Sequence, residues 1–167
     1  MPLYFAYGSN MSAATLHRRL QRAPALERRR AILRNYRLAF EKVSSTNPAV
    51  GYANVVAAPG YHVEGILNEL DHDALAVLDR IELVPHHYRR AQLTVYDCAQ
   101  RRELSAYVYT AQPSWTRPGL KPLRSYVDGL VQGADLLSAD YATSLYEIEC
   151  HEDVASCPTT HRAQQST

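Results

Sequence analysis

No apolar run in this chain approaches the roughly 20 residues that a membrane-spanning helix needs, so a transmembrane helix is excluded. The opening residues Met1-Pro2-Leu3-Tyr4 carry no basic n-region and no long apolar stretch, so no secretory signal and no membrane partner are expected. Cysteine is scarce. Cys98, Cys150 and Cys157 are an odd number without metal-ligand spacing, which argues against a disulfide scaffold and fits a cytoplasmic location. A surplus of one charge sign is missing too, with 18 Lys/Arg against 17 Asp/Glu. The balance is uneven along the chain: residues 1–42 hold nine basic and two acidic residues, and the rest holds nine and fifteen. Arg28-Arg29-Arg30, with Arg34 and Arg37, can meet phosphate or can form a solvated face that pairs with the acidic remainder. No aromatic interleaving or nucleic-acid motif accompanies these arginines, so the second reading is preferred and no nucleic-acid partner is expected.

What is present fits a globular protein, with 46% apolar and 21% charged residues. Its 167 residues suffice for a single core. Residues 1–150 read as one domain, and 151–167 as a loose tail, polar and rich in Ser, Thr and Gln. Residues 3–7 read as a strand running into Gly8-Ser9-Asn10, where Gly8 permits unusual backbone angles and Ser9 or Asn10 can cap a helix. Leu16 and Leu20 mark one face of a helix over 11–22. Residues 32–40 form a strand in which Ile32, Tyr36, Leu38 and Phe40 share parity. Two further strands, 52–57 and 63–70, flank the turn signal Pro59-Gly60. Asp71 or Asp73 caps a helix through Ile81, with Leu75, Leu78 and Ile81 on one face. Strands follow at 88–96 and 104–109, a long loop at 113–122, and helices at 122–137 and 140–148. Six strands and four helices in mixed order predict an α+β fold, a small mixed or antiparallel β-barrel with flanking helices.

Two features carry chemistry. Tyr4-Phe5-Ala6-Tyr7-Gly8-Ser9-Asn10 is a strand that ends in a turn before a helix. Such a turn offers backbone N–H groups to a carboxylate or a developing oxyanion, or is simply a capped turn. The second is Leu78-Asp79-Arg80-Ile81-Glu82. Glu82 falls at the end of a helix in apolar company, and both circumstances raise a carboxyl pKa toward neutrality. The alternative is a surface glutamate paired with Arg89 or Arg90. Adjacent His86-His87 have no further ligand at metal spacing, so one is expected to pack and the other to face water. Gly8-Ser9 is no nucleophile elbow, and Gly51, Gly60 and Gly65 form no phosphate loop. Twelve tyrosines are many for this length, and some are expected to line a polar pocket.

Residues 4–11, YFAYGSNM, resemble the opening signature of the γ-glutamylcyclotransferase family. The likeness continues through Gly51-Tyr52-Ala53-Asn54-Val55, Val63-Glu64-Gly65-Ile66-Leu67, Leu78-Asp79 with Glu82, and His87-Tyr88-Arg89-Arg90, and spans residues 3 to about 149. The resemblance implies a small β-barrel with flanking helices, no cofactor and no metal. It implies a C–N-cleaving acyl transfer in which the α-amine of a γ-glutamyl group attacks its own γ-carbonyl. That releases 5-oxoproline and a free amino acid or amine. Glu82 is then the acid/base, and Tyr7, Gly8, Ser9, Asn10, Tyr88 and Tyr141 hold the substrate. Many relatives have Gly directly after the catalytic Glu, where Leu83 stands here. Gly8-Ser9-Asn10 leans toward the branch that acts on γ-glutamyl amino acids. Three alternatives stay open: removal of a γ-glutamyl protecting group from an aminoglycoside-type intermediate, transfer to an external amine, and a non-catalytic amino-acid-binding module. The small-molecule substrate is the expected partner, on a monomer or homodimer.

Overall fold

The computed structural model describes residues 1–21 and 27–153. The predicted tail lies beyond the described residues from position 154 onward. Five strands close into a barrel: β1 (Leu3–Ala6), β2 (Arg29–Val43), β3 (Gly51–Glu69), β4 (Tyr88–Asp97) and β5 (Arg102–Ala111), in the spatial order β1-β3-β2-β4-β5. The neighbours pair antiparallel except β1 and β5, whose parallel contact closes the ring. Four helices lie outside: α1 (Ala13–Leu20), α2 (His72–Ile81), α3 (Arg124–Gln132) and α4 (Ala139–Tyr146). Short 3-10 turns occupy Ser9–Met11 and Pro113–Trp115.

Alternation along β1 explains the two layers. Phe5 and Tyr7 join Leu33, Val63, Leu67, Val95 and Val108 in a cluster built from the strands and the residue just past β1, which is the barrel interior. Tyr4 and Ala6 face the other way, onto Leu16, Leu75, Leu78 and Leu130 of the helices. Each fully buried Leu in these clusters contributes roughly 1.5–3 kcal/mol of hydrophobic stabilisation. Gly65 answers to the same crowding: a Cβ there would lie 2.4 Å from the Ala6 carbonyl oxygen and 2.6 Å from the Phe5 ring. That contact is the physical reason for glycine in the Val63-Glu64-Gly65 stretch. Glu64 beside it accepts the backbone N–H and the hydroxyl of Ser138, both at 2.8 Å, and so anchors the start of α4.

Three expectations need correction. The two strands around Pro59-Gly60 are one strand, β3, because Gly60 adopts φ 84° and donates its N–H to the Asn35 side chain of β2. The kink is absorbed inside the ladder instead of ending it. Asn35 itself has φ 61°, at a shift in the β2–β3 register, and there the alternation of β2 reverses. Ala31 and Leu33 therefore face inward ahead of the shift, Ile32 does not, and Tyr36, Leu38 and Phe40 do afterwards. Finally, α1 is capped by Ser12, which accepts the Thr15 N–H, while Ser9 and Asn10 form the 3-10 turn before it. Asp71, not Asp73, caps α2 through the Ala74 N–H at 2.8 Å. Such a cap is worth about 1 kcal/mol.

Candidate active site

The end of β1, the turn Ser9–Met11, the end of α2 and the starts of β3 and β4 enclose a cavity of about 490 Å³. Glu82 lines it from the C-cap of α2. The helix ends in a Schellman arrangement, with the Val84 N–H on the Asp79 carbonyl at 2.9 Å and the Leu83 N–H on that of Arg80 at 3.3 Å. Leu83 adopts φ 52°, the left-handed conformation that costs a non-glycine residue about 1–2 kcal/mol. Glycine would meet this backbone requirement without strain. Leucine meets it at a cost and sets a 47% exposed apolar side chain on the cavity wall.

Asp79 organises the approach. It accepts the Tyr109 hydroxyl and Arg90, each at 2.8 Å, while Leu78 is fully buried against the barrel. Arg90 is therefore committed to Asp79 and Arg89 to Thr110, so neither pairs with Glu82. The Glu82 side chain is 19% exposed. Its Oε1 accepts from Asn10 Nδ2 at 3.4 Å and from Arg19 Nη1 at 3.3 Å. Its Oε2 has no hydrogen-bond partner among the described residues. Burial pushes the Glu82 pKa up, and Arg19, Asn10 and Lys42 pull it back only in part, so it stands above the ordinary glutamate range. The C-terminal end of the α2 dipole acts in the same direction.

Asn10 is buried and fixed on three sides. It donates to the Tyr4 hydroxyl at 2.9 Å and to Glu82, and its Oδ1 accepts from Arg19 at 2.6 Å. Ser9 and Asn10 open a 3-10 turn, where the first N–H groups have no acceptor within the turn. Gly8 precedes it with φ −122° and ψ −147°, so left-handed freedom is not what the position uses. A Cβ there would sit 3.5 Å from the Tyr126 hydroxyl, on the cavity side.

Tyr7 and Tyr88 also line the cavity, with their hydroxyls donated to the carbonyls of Tyr109 and Ala53. Tyr126 of α3 completes this aromatic wall, its hydroxyl accepting the Ala53 N–H at 3.3 Å. Burial raises the pKa of Tyr4, Tyr7, Tyr88 and Tyr126, so all four stay neutral phenols where Glu82 titrates.

The structure thus brings together Tyr7, Gly8, Ser9, Asn10, Glu82 and Tyr88. Tyr141 is not part of this wall. It lies on α4, which docks through Ser138 on Glu64, and its ring is 6.4 Å from that of His62. Tyr126 of α3 takes the place on the cavity wall that the sequence reading assigned to the last helix. Arg19 and Lys42 were missed as well. Arg19 reads as the polar face of an amphipathic helix. Lys42 follows Leu38 and Phe40 at intervals of two, a parity that could have placed it indoors. His86 is exposed and His87 packs on Trp115, and no group of three or more metal-ligating side chains occurs among the described residues. None of their helices is long and apolar enough to cross a membrane.

One carboxylate with a free oxygen, beside a turn of open backbone amides in a cavity walled by neutral phenols, suits proton transfer within a small polar substrate. An uncharacterized human protein has the same fold with a TM-score of 0.77 and 26% identity, over 89% of this chain and 88% of that one. A protein titled gamma-glutamyl cyclotransferase matches with a TM-score of 0.78 and 25% identity, over 90% of this chain and 89% of that one. YkqA from Bacillus subtilis shares the fold with a TM-score of 0.73 at 23% identity, over 90% of this chain and 56% of that one. None of the curated proteins matches the chain. The family model described as gamma-glutamyl cyclotransferase, AIG2-like, matches residues 4–128. Its span takes in β1, the turn, Glu82 and Tyr126, and the chain belongs to this AIG2-like gamma-glutamyl cyclotransferase family.

Proposed function

We propose that the protein converts a γ-glutamyl compound into 5-oxoproline and a free amino acid or amine, with Glu82 as the single acid/base. The glutamyl portion lies against Gly8, Ser9 and Asn10, whose backbone N–H groups and side chains hold its polar end. Glu82 Oε2 takes a proton from the substrate ammonium. The freed amine attacks the γ-carbonyl of its own chain and a five-membered ring closes. The ring nitrogen still carries two protons after attack; it gives one to the departing nitrogen as the C–N bond to the former acyl acceptor breaks, and Glu82 returns the proton it took, so the amine leaves as an ammonium. No external nucleophile is required.

The main demand is a folded, near-attack substrate, and a rigid wall of tyrosines with pinned hydroxyls supplies that constraint. The second demand is a base whose pKa approaches the working pH, which the raised pKa of Glu82 meets. The observation that carries this reading is the free Oε2 of a poorly solvated carboxylate beside the Gly8–Asn10 turn. The name of one structural neighbour, gamma-glutamyl cyclotransferase, supports the same reaction.

The test is incubation with a panel of γ-glutamyl amino acids and γ-glutamyl amines, followed by mass spectrometry for 5-oxoproline. Release of 5-oxoproline with an equal amount of free amine from at least one compound is expected. Binding without product from any compound, or transfer of the glutamyl group to an added amine in place of cyclisation, overturns the reading.

A further inference from the structure

Three cations line the cavity against the single carboxylate of Glu82. Two of the three have other commitments. Arg19 is held by Asn10 and Glu82, and Arg18 is exposed and reaches Thr15. The third, Lys42, is different. It sits at the end of β2 and is only 4% exposed. Its ammonium is 3.1 Å from His87 Nδ1 and lies over the rings of Trp115, Tyr88 and Tyr52 at 5.0, 5.6 and 5.9 Å. His87 in turn stacks on Trp115, with ring centroids 3.5 Å apart.

An ammonium has three donors, and His87 takes one. Among the described residues no carboxylate lies within ion-pair distance of Lys42. Aromatic faces recover part of the lost hydration, about 0.5–2 kcal/mol each, but leave the remaining donors without an acceptor. A buried charge in this condition is costly unless an anion joins it. The burial that lowers the Lys42 pKa expresses the same cost, and Glu82 opposes it from beyond contact distance.

The wall that holds Lys42 is not the wall that holds the glutamyl end. Lys42 touches β3, the start of β4 and the turn Pro113–Trp115, whereas Ser9 and Asn10 belong to the turn that carries Tyr4 and Arg19 contacts. Glu82 communicates with both, through a hydrogen bond to Asn10 and through the field of Lys42. A substrate whose cleaved bond lies at Glu82 therefore extends its departing half toward Lys42.

Resting on the reaction proposed above, we infer that Lys42 is a specificity-determining residue whose ammonium binds the carboxylate of the departing amino acid. A departing amine without a carboxylate leaves the ammonium unanswered, so the cavity discriminates against it.

Two ligands isolate this group: γ-glutamyl-L-alanine and γ-glutamyl-ethylamine, which differ only in the carboxylate. Calorimetric binding and 5-oxoproline release are measured for both on the intact chain, on Lys42→Met and on Lys42→Arg. A charge-assisted hydrogen bond worth about 1.5–3 kcal/mol corresponds to roughly 10–100-fold discrimination by the wild type. Lys42→Met is expected to collapse the ratio of kcat/KM for the pair toward one, and Lys42→Arg to retain part of it. A melting curve establishes that each variant is folded. Equal handling of the two ligands by the wild type, or a ratio that survives in Lys42→Met, overturns the inference, as does binding of neither ligand. Binding of the pair with the stated discrimination but no 5-oxoproline overturns the cyclisation reading and leaves the carboxylate seat in place.

Discussion

The two ends of β4 hold two carboxylates beside arginines, and they behave in opposite ways. The strand begins at Tyr88 on the cavity and ends at Asp97, about 30 Å away along an extended chain. Asp97 is 0% exposed. Burial pushes its pKa up, but the N–H groups of Gln100 and Ala99 and the guanidinium of Arg29 more than reverse this, and it rests below the ordinary range. Those bonds are short and divided over both oxygens: 3.0 and 2.9 Å from the two amides to Oδ1, and 2.7 Å from Arg29 Nε to Oδ2. Glu82 lines the cavity with a 19% exposed side chain, and there the loss of hydration outweighs its donors, so its pKa is raised. Its two donors crowd onto Oε1 at 3.3 and 3.4 Å, and Oε2 is left for something else. Burial alone does not make a proton carrier. An incompletely satisfied carboxylate does, and the molecule builds one carboxylate of each kind.

The largest effect expected from breaking this contrast is in Glu82→Gln. It keeps the shape and the contacts of Oε1 but carries no proton, so 5-oxoproline release should fall about 10²–10⁴-fold while the fold is retained. Asp97→Ala should act on stability instead. It leaves the Arg29 guanidinium buried without its closest partner, and a urea titration should show a loss of about 3–5 kcal/mol. Arg19→Gln sits between the two. It removes the strongest influence holding the Glu82 pKa down, so the acid limb of kcat/KM should move to higher pH. An unmoved limb would show that Arg19 acts only as a support for Asn10. Leu83→Gly should raise stability by up to about 1 kcal/mol, since it removes left-handed strain from a half-exposed side chain. The smallest expected effect is on pH dependence, where the two carboxylates have opposite signs. Glu82, with its raised pKa, contributes stability that is complete below the unfolded value and is lost as pH rises through the folded value. Asp97, with its lowered pKa, contributes stability above the unfolded value that is lost as pH falls through the folded one. Melting curves of Glu82→Gln should therefore gain on the wild type as pH rises from 4 to 8.

The same contrast explains what was legible in the sequence. Glu82 was visible because its position depends on local rules: a helix of known period, its end, and apolar neighbours. The turn at Gly8-Ser9-Asn10 was visible for the same reason. Arg29 and Asp97 form a buried pair, yet they are 68 positions apart and nothing local announces that they meet. Arg19 belongs to this second kind, since the packing of α1 against α2 carries it to Glu82, and the partners of Lys42 come from β3, β4 and the turn Pro113–Trp115. Tyr141 is a case in which the local pattern does not choose between two helices. α3 and α4 both offer tyrosines; Tyr126 of α3 lines the cavity, whereas α4 starts on Glu64 through Ser138. The β3 strand is a second case. Pro59-Gly60 is a turn signal by composition, and the acceptor that keeps it in the ladder, Asn35, lies on another strand.

The most direct measurement is a site-resolved carbon NMR titration of the Glu82 carboxyl group in the intact chain, with Asp97 followed in the same spectra. Glu82 is expected to titrate above the ordinary glutamate range and Asp97 below the ordinary aspartate range. Glu82 titrating at or below the ordinary value would contradict the account, because the proposed proton carrier would then be a satisfied structural carboxylate like Asp97.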